Sequence, residues 1–441
     1  MSSQHRLSAA TWLAIGLAAC PGGIAAQSGE WPTLQRAAME YLSRSGAVQV
    51  TLSGQLDLEA IHVSNSWSGL VSLEGGADIL ESQPEDCSAC HGDEPLTSGG
   101  GELWAHRLRL FADVFLGDHV YSLVEVRSDR GESPTDGKAR GRIEQAFVRV
   151  GNEVGTRWLQ AGLFASPFGS YPLRHLSVVD PFVRPPLAYD YRTVMSRIVV
   201  PADAARLLEW KHEPEDFRRT GVPPVWDVPY QWGAMGFVQL AGVDVRAAAM
   251  NSAPSSAPDV WWSLSSERLA DPTWVVAARA RPTIDLEVGV SWSKGPWMEE
   301  FTVPTASARS HRDFDQEILA VDAAFARGAT MLRAEVMVDR WAVPNVPGRP
   351  TEVIYQLEAQ RDLVAGAFAA ARVGHIDFRP VTRAGQTVAE DWDHDVARFE
   401  GSLGYRLARN AGVLLSAYRQ TQRGASDAGG RLVGARLWWA F

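Results

Sequence analysis

The sequence predicts an all-β chain, a transmembrane antiparallel up-and-down β-barrel of about 16 strands. Three observations point there. An apolar leader is followed by no other run of the ~18 apolar residues that a membrane helix needs. Polar and apolar residues alternate with period two over long stretches. Very short turns alternate with long polar loops.

Composition sets the outer bounds. The chain has 441 residues, 21% of them charged and 46% hydrophobic, enough to build a core and to exclude wholesale disorder. Lys and Arg total 42 against 52 Asp and Glu, so nothing suggests a nucleic-acid partner. The basic residues are nearly all Arg, the only lysines being Lys138, Lys211 and Lys294. The 17 tryptophans are an excess that two membrane–water interfaces would explain.

Residues 1–26 read as a signal peptide. His5 and Arg6 precede the apolar run Leu7 to Ala19, Pro21-Gly22-Gly23 breaks it, and Ile24-Ala25-Ala26 forms a cleavage site. Leu17-Ala18-Ala19-Cys20 also resembles a lipoprotein signal, which would acylate Cys20. Either way the chain is exported into a Gram-negative envelope, and with no later apolar helix it enters a membrane only as a closed barrel. Residues 27–46 are expected to plug the barrel or lie in the periplasm, with a short helix over Trp31 to Ser43 and Pro32 at its first position; a frayed leader with no role is the alternative.

The barrel is expected over residues 47–441. From Val48 to Ala60, Val48, Val50, Leu52, Leu56 and Leu58 share one face, and Gln49, Thr51, Ser53, Gln55, Asp57 and Glu59 the other. A tilted barrel strand needs about 9–11 residues, and this run is long enough. The alternation returns at Arg107–Val114, Ile284–Ser293, Leu332–Asp339, Glu352–Gln360 and Arg398–Leu407. Short turns are expected near Gly117-Asp118, Gly151-Asn152, Gly242-Val243, Pro282-Thr283, Gly328-Ala329, Asp362-Leu363 and Asn410-Ala411. Long loops are expected at 65–103, 130–141, 165–230, 252–272, 295–312, 342–350, 377–391 and 423–430. Short turns then face the periplasm and long loops the outside. Trp104, Trp158, Trp274, Trp292, Trp341 and Trp439 fall near strand ends, where an interfacial girdle sits. A secreted β-sandwich is the competing fold, but its strands are typically nearer 5–6 residues.

The last strand places Val433, Ala435, Leu437, Trp439 and Phe441 on one face and Arg436 on the other. Such a strand ending on an aromatic resembles the assembly signal of Gram-negative outer-membrane barrels.

The chemistry-bearing motif is Cys87-Ser88-Ala89-Cys90-His91, the C-x-x-C-H of covalent haem c attachment. Two thiols at this spacing reach the two vinyl groups of one porphyrin, and His91 becomes the proximal iron ligand. The alternative is a Cys87–Cys90 disulfide in an external loop, with His91 incidental. A zinc site lacks a second pair of ligands at suitable spacing. Candidates for a distal ligand are His62, His106 and His175, with Met39 available only if the N-terminal helix reaches the haem.

On Cys87, Cys90, His91 and the barrel pattern, the chain resembles outer-membrane cytochrome–porin fusions, which join one c-type haem to a porin-like barrel. The resemblance implies electron transfer at the cell surface, from an extracellular donor such as ferrous iron to a periplasmic cytochrome. This chain departs from that pattern, because its motif follows the first strand instead of preceding it. Porins of this size are often homotrimers, which the analogy extends to this chain.

The long third loop, 165–230, is the expected constriction, carrying Arg174, Arg184, Arg192 and Arg197. With lumen residues Arg107, Arg109, Arg127 and Arg149 these would form a positive wall, and Asp285, Glu287, Glu335 and Glu358 a negative one. Such a transverse field would filter small solutes. The competing readings are simply polar lumen faces and a sleeve around a separate cytochrome. No P-loop, H-E-x-x-H, G-x-G-x-x-G or G-x-S-x-G motif is present, so nothing points to a hydrolase.

Overall fold

The computed structural model describes residues 39–43, 45–64, 101–130, 140–212, 221–264, 266–299, 310–382, 389–423 and 430–441. The signal peptide, Cys20, Cys87, Cys90 and His91 lie outside the described residues.

The strands are β1 (Met39–Leu42), β2 (Val48–Ser64), β3 (Gly101–Leu116), β4 (Val120–Arg130), β5 (Arg140–Gly151), β6 (Arg157–Ala165), β7 (Tyr230–Leu240), β8 (Val243–Met250), β9 (Thr273–Thr283) and β10 (Leu286–Pro296). They continue with β11 (Asp315–Arg327), β12 (Thr330–Trp341), β13 (Thr351–Val364), β14 (Ala367–Phe378), β15 (Pro380–Thr382), β16 (Ala389–Asp391), β17 (Val396–Ala408), β18 (Ala411–Gln422) and β19 (Arg431–Ala440). Neighbours pair antiparallel, and β19 returns to β2 from Arg431↔Ser64 to Ala440↔Gln55. Closure gives a 16-strand barrel built from β2–β14 and β17–β19. It leaves no sheet edge in lipid, where an unpaired amide costs several kcal/mol. Phe441 completes the seam: its N–H donates to Gly54 O, and its carbonyl accepts from Gly54 N.

Period two decides which side each residue takes. On β2, Thr51, Ser53, Gln55, Asp57 and Glu59 are buried inward, while Leu52 and Leu58 are exposed on the outer face. On β19, Arg436 is buried and Val433, Leu437 and Trp439 are exposed. The outside is therefore an apolar belt and the inside a polar wall.

Two turns form further along the chain than expected. The β9–β10 turn is Ile284-Asp285 and the β13–β14 turn is 365–366. Ala241 and Gly242 both have positive φ, the primed turn geometry that matches the twist of the strands they join. At the N-terminus, Met39–Leu42 is a strand paired on β2, not the end of the helix expected over Trp31 to Ser43. Its residues satisfy their backbone on the neighbouring strand, an option that the helical reading from Pro32 did not include. Outside the barrel, β15 and β16 form a small hairpin.

The main apolar core lies inside the cylinder. Phe168, Phe182, Tyr189, Tyr191, Val194, Met195, Leu207, Leu208, Val222 and Val225 of the third loop are essentially inaccessible. Most of them share a cluster with the inward residues Phe111, Tyr121, Leu123, Phe147, Ile354 and Ile376. Two of the expected girdle tryptophans belong here. Trp158 faces inward, stacked on Phe237 at 4.9 Å and under Arg149 at 4.1 Å. Trp341 also faces inward and donates its indole N–H to Glu352 at 2.9–3.0 Å. Parity governs both, since each falls in the inward set of its strand. Trp274 and Trp439 do face outward.

Candidate functional site

The site is the lumen with residues 166–212 and 221–229 folded into it. Gly169 starts the entry. Its φ of +77 suits glycine, and a Cβ would stand 2.2 Å from Tyr189 Oη. Gly169 N donates to Ser291 Oγ on β10 at 2.9 Å, and Ser170 N to Glu335 Oε1 on β12 at 2.7 Å. Tyr189 Oη donates to the same carboxylate at 3.1–3.2 Å. Arg174 pairs with Glu358 on β13 at 3.1 Å, and Ser177 Oγ donates to Asp57 on β2 at 2.8 Å. The loop thus crosses the whole lumen.

Its far side rests on arginines. Arg436 of β19 donates to Phe182 O at 2.8 Å and Val183 O at 2.7 Å. Arg372 of β14 donates to Arg184 O at 2.7 Å and Pro185 O at 3.2 Å. Arg398 of β17 donates to Pro185 O at 3.3 Å. Each arginine also meets an acid: Arg436 with Glu59, Arg372 with Glu400, and Arg398 with Asp190. Arg184, from the loop, pairs with Asp190 at 2.5 Å. Four consecutive carbonyls therefore sit on a row of guanidinium groups. Arg372 Nη1 is buried and has no hydrogen-bond partner among the described residues.

Between Pro167–Leu173 and the wall of β8–β11 lies a cavity of about 30 Å³, near Ser291, Arg246, Arg279 and Asp322. It has room for one or two water molecules and no more.

Burial sets the ionisation of the loop. The His175 imidazole is held well below its usual pKa by burial and by the adjacent Arg109, against a raising contribution from the Pro172 carbonyl. Its Nδ1 contacts Pro172 O at 2.7 Å and its Nε2 contacts Tyr230 Oη at 2.8 Å. Asp180 is pushed up to about 6 by burial, with Arg372 and Arg174 opposing.

The expected site residues divide clearly. Arg107, Arg109, Arg127 and Arg149 do point inward, but not as a bare positive wall. Arg109 pairs with Glu125 at 2.8 Å, Arg127 with Glu144 at 3.3 Å, Arg107 lies 3.8 Å from Asp57, and Arg149 donates to Gln160. Glu335 and Glu358 face them across the lumen, already engaged by the loop. Glu287 is inward and takes Arg279 and Arg281. Asp285 is not on the wall; it sits in the β9–β10 turn, because that turn falls later than expected. Arg192 lies over Trp226 at 5.2 Å, and Arg197 pairs with Glu299.

His175 is inside the lumen with both ring nitrogens engaged. His62 and His106 take the outward parity of β2 and β3 near the external rim, so the three histidines do not converge. Among the described residues no three His, Cys, Asp or Glu side chains group as a metal site. The row Arg372, Arg398 and Arg436 was legible only as inward parity; its convergence on one loop segment needed the fold.

No family model matches the chain, and no curated protein matches it. Solved structures do. The anion-selective porin from Comamonas acidovorans aligns at TM-score 0.51 and 10% identity, covering 89% of this chain and 100% of that one. OmpT of Vibrio cholerae, folded in vitro, aligns at TM-score 0.52 and 10% identity, over 89% of this chain and 98% of that one. The outer-membrane channel DcaP of Acinetobacter baumannii aligns at TM-score 0.52 and 11% identity, over 91% and 99%. The fold is that of a porin-type β-barrel.

Proposed function

We propose that this protein is an outer-membrane diffusion channel of the porin type, constricted by its third loop and selective for small anions. The clamp of Phe182–Pro185 carbonyls on Arg372, Arg398 and Arg436 carries this reading. A neutral carbonyl is a weaker acceptor for guanidinium than a carboxylate or phosphate oxygen. An anion arriving as the loop yields therefore replaces the carbonyls at a gain, while Glu59, Glu400 and Asp190 are already engaged by the same arginines. The anion-selective porin among the similar structures supports the solute sign, and the trimer form of Vibrio cholerae OmpT supports a homotrimer in the outer-membrane bilayer. The test is the reversal potential in planar bilayers under a KCl gradient. Chloride permeating faster than potassium supports the reading; a folded protein that conducts only cations, or nothing, rejects it.

The motif Cys87-Ser88-Ala89-Cys90-His91 supports a second reading, one covalent haem c passing electrons at the cell surface to a periplasmic cytochrome. Cys87 and Cys90 would add across the two vinyl groups, and His91 would bind the iron. A pyridine haemochrome spectrum from a host with working haem maturation decides it. A haem band lost in Cys87→Ser supports attachment. No band, with thiols that react only after reduction, assigns the pair to a disulfide.

A further inference from the structure

We infer that the outer face of β6–β8, beside the periplasmic turns, binds one phospholipid, with an acyl chain in a groove and its phosphate on Arg157. The belt of a barrel is normally convex and lined with large side chains. Here it is dented. A shallow groove of about 470 Å³ runs over Gly236 and Ala247, walled by Val150, Leu159, Val238 and Val245. Its floor is low because glycine and alanine occupy outward positions of adjacent strands. Arg157 and Asn152 stand at the periplasmic end.

Charge identifies the occupant. Arg157 is exposed, and among the described residues its guanidinium has no ion-pair partner. The acid on the same turn, Glu153, is directed to His119 at 3.7 Å. Asn152 Oδ1 accepts from the Arg157 backbone N–H at 3.0 Å, which fixes where the arginine leaves the turn. An apolar slot that ends in an unpaired cation at the level of the lipid headgroups matches an acyl chain and a phosphodiester. A second barrel seated on the groove would bury Arg157 with no acid from this face to pair it. The inference does not depend on the solute proposal.

The groove can be filled without touching the barrel. A Cβ at Gly236 meets nothing nearer than Leu159 Cδ2 at 3.5 Å, ordinary van der Waals contact, so a larger side chain grows into the slot. The experiment is native mass spectrometry of the detergent-purified protein, titrated with phosphatidylglycerol and with phosphatidylcholine. Wild type should retain one phospholipid per chain and prefer the anionic one. Gly236→Leu should lose at least ~10-fold in retention, and Arg157→Gln should lose the headgroup preference. Unheated electrophoretic mobility confirms that both variants remain folded barrels. Wild-type retention in Gly236→Leu overturns the site, and an unchanged preference in Arg157→Gln overturns the phosphate assignment. A lipid-free wild type whose oligomer dissociates in Gly236→Leu makes the groove a protein interface instead.

Discussion

Releasing the third loop from one arginine should open the channel. Arg372 donates two hydrogen bonds to loop carbonyls, at 2.7 Å to Arg184 O and 3.2 Å to Pro185 O. Removing it alone would strand Glu400 in a buried site with Ser416 as partner, a cost to the barrel rather than to the loop. The informative variant is therefore Arg372→Met with Glu400→Gln. Hydrogen bonds to a charged group contribute about 1.5–3 kcal/mol each. One short and one long bond together give roughly 3 kcal/mol, because the freed carbonyls find water once the loop lifts. That shifts the docked-to-lifted ratio by about 100-fold. Single-channel recording should show open probability rising by that order, and vesicle swelling should show faster uptake of small anions. A paired control, Arg406→Met with Asp362→Asn, removes a 3.1 Å lumen pair in the lower, periplasmic part of the barrel and should leave opening unchanged. The reasoning fails if the loop-side variant folds and opens no more than wild type, or if the control opens equally.

Other perturbations act on the same element. Gly169→Val forces a β-branched side chain into positive φ and onto Tyr189, a cost of about 1–3 kcal/mol to the docked loop; leak conductance should rise roughly 10-fold or more, while barrel melting, read by circular dichroism, stays near wild type. Acidification pulls two ways. Buried His175 resists its proton when docked, so docking is fully favoured above its ordinary value of 6.5 and weakens as pH falls below that. Asp180, pushed up to about 6, takes its proton more readily docked than lifted, so docking strengthens as pH falls from there toward 3.8. Conductance against pH should therefore climb more steeply on acidification in Asp180→Asn, and fall on acidification in His175→Gln. Deleting Phe441 removes the two backbone hydrogen bonds to Gly54 at the seam, about 1 kcal/mol each; the heat-modifiable fraction in outer membranes should drop several-fold.

The wall of the barrel was legible because it obeys a period. Alternation from Val48 to Ala60 assigns the faces, and Asp57 and Glu59 are buried inside as it requires. The strand count followed from turns and loops, even though two turns lie further along the chain. The third loop has no period to read. Its length and its arginines suggested a constriction, but not that Phe168, Tyr189, Met195 and Leu208 would form a core there. The tryptophan excess misled for the same reason. Trp210, Trp297, Trp341 and Trp392 are fully buried, so membrane interfaces explain only part of the count. Residue type reports that a side chain avoids water, not whether it does so in lipid or against a folded loop.

The loop's attachment is uneven, and that unevenness bears on how it would move. Along β3–β6 its neighbours include Tyr121, Phe147 and Phe164, with ring centroids 5.9 and 6.2 Å apart in succession. Apolar contacts of this kind have no partner in water to replace them. Along β14, β17 and β19, the polar contacts of Phe182–Pro185 run from guanidinium groups to carbonyl oxygens. Water or a dissolved anion can take over either half of such a bond. The apolar side thus behaves as the hinge and the polar side as the latch. On the proposed function, opening would begin against Arg372, Arg398 and Arg436, whose guanidinium groups the loop carbonyls now cover. On the proposed function, loop release and anion preference would both depend on these three residues.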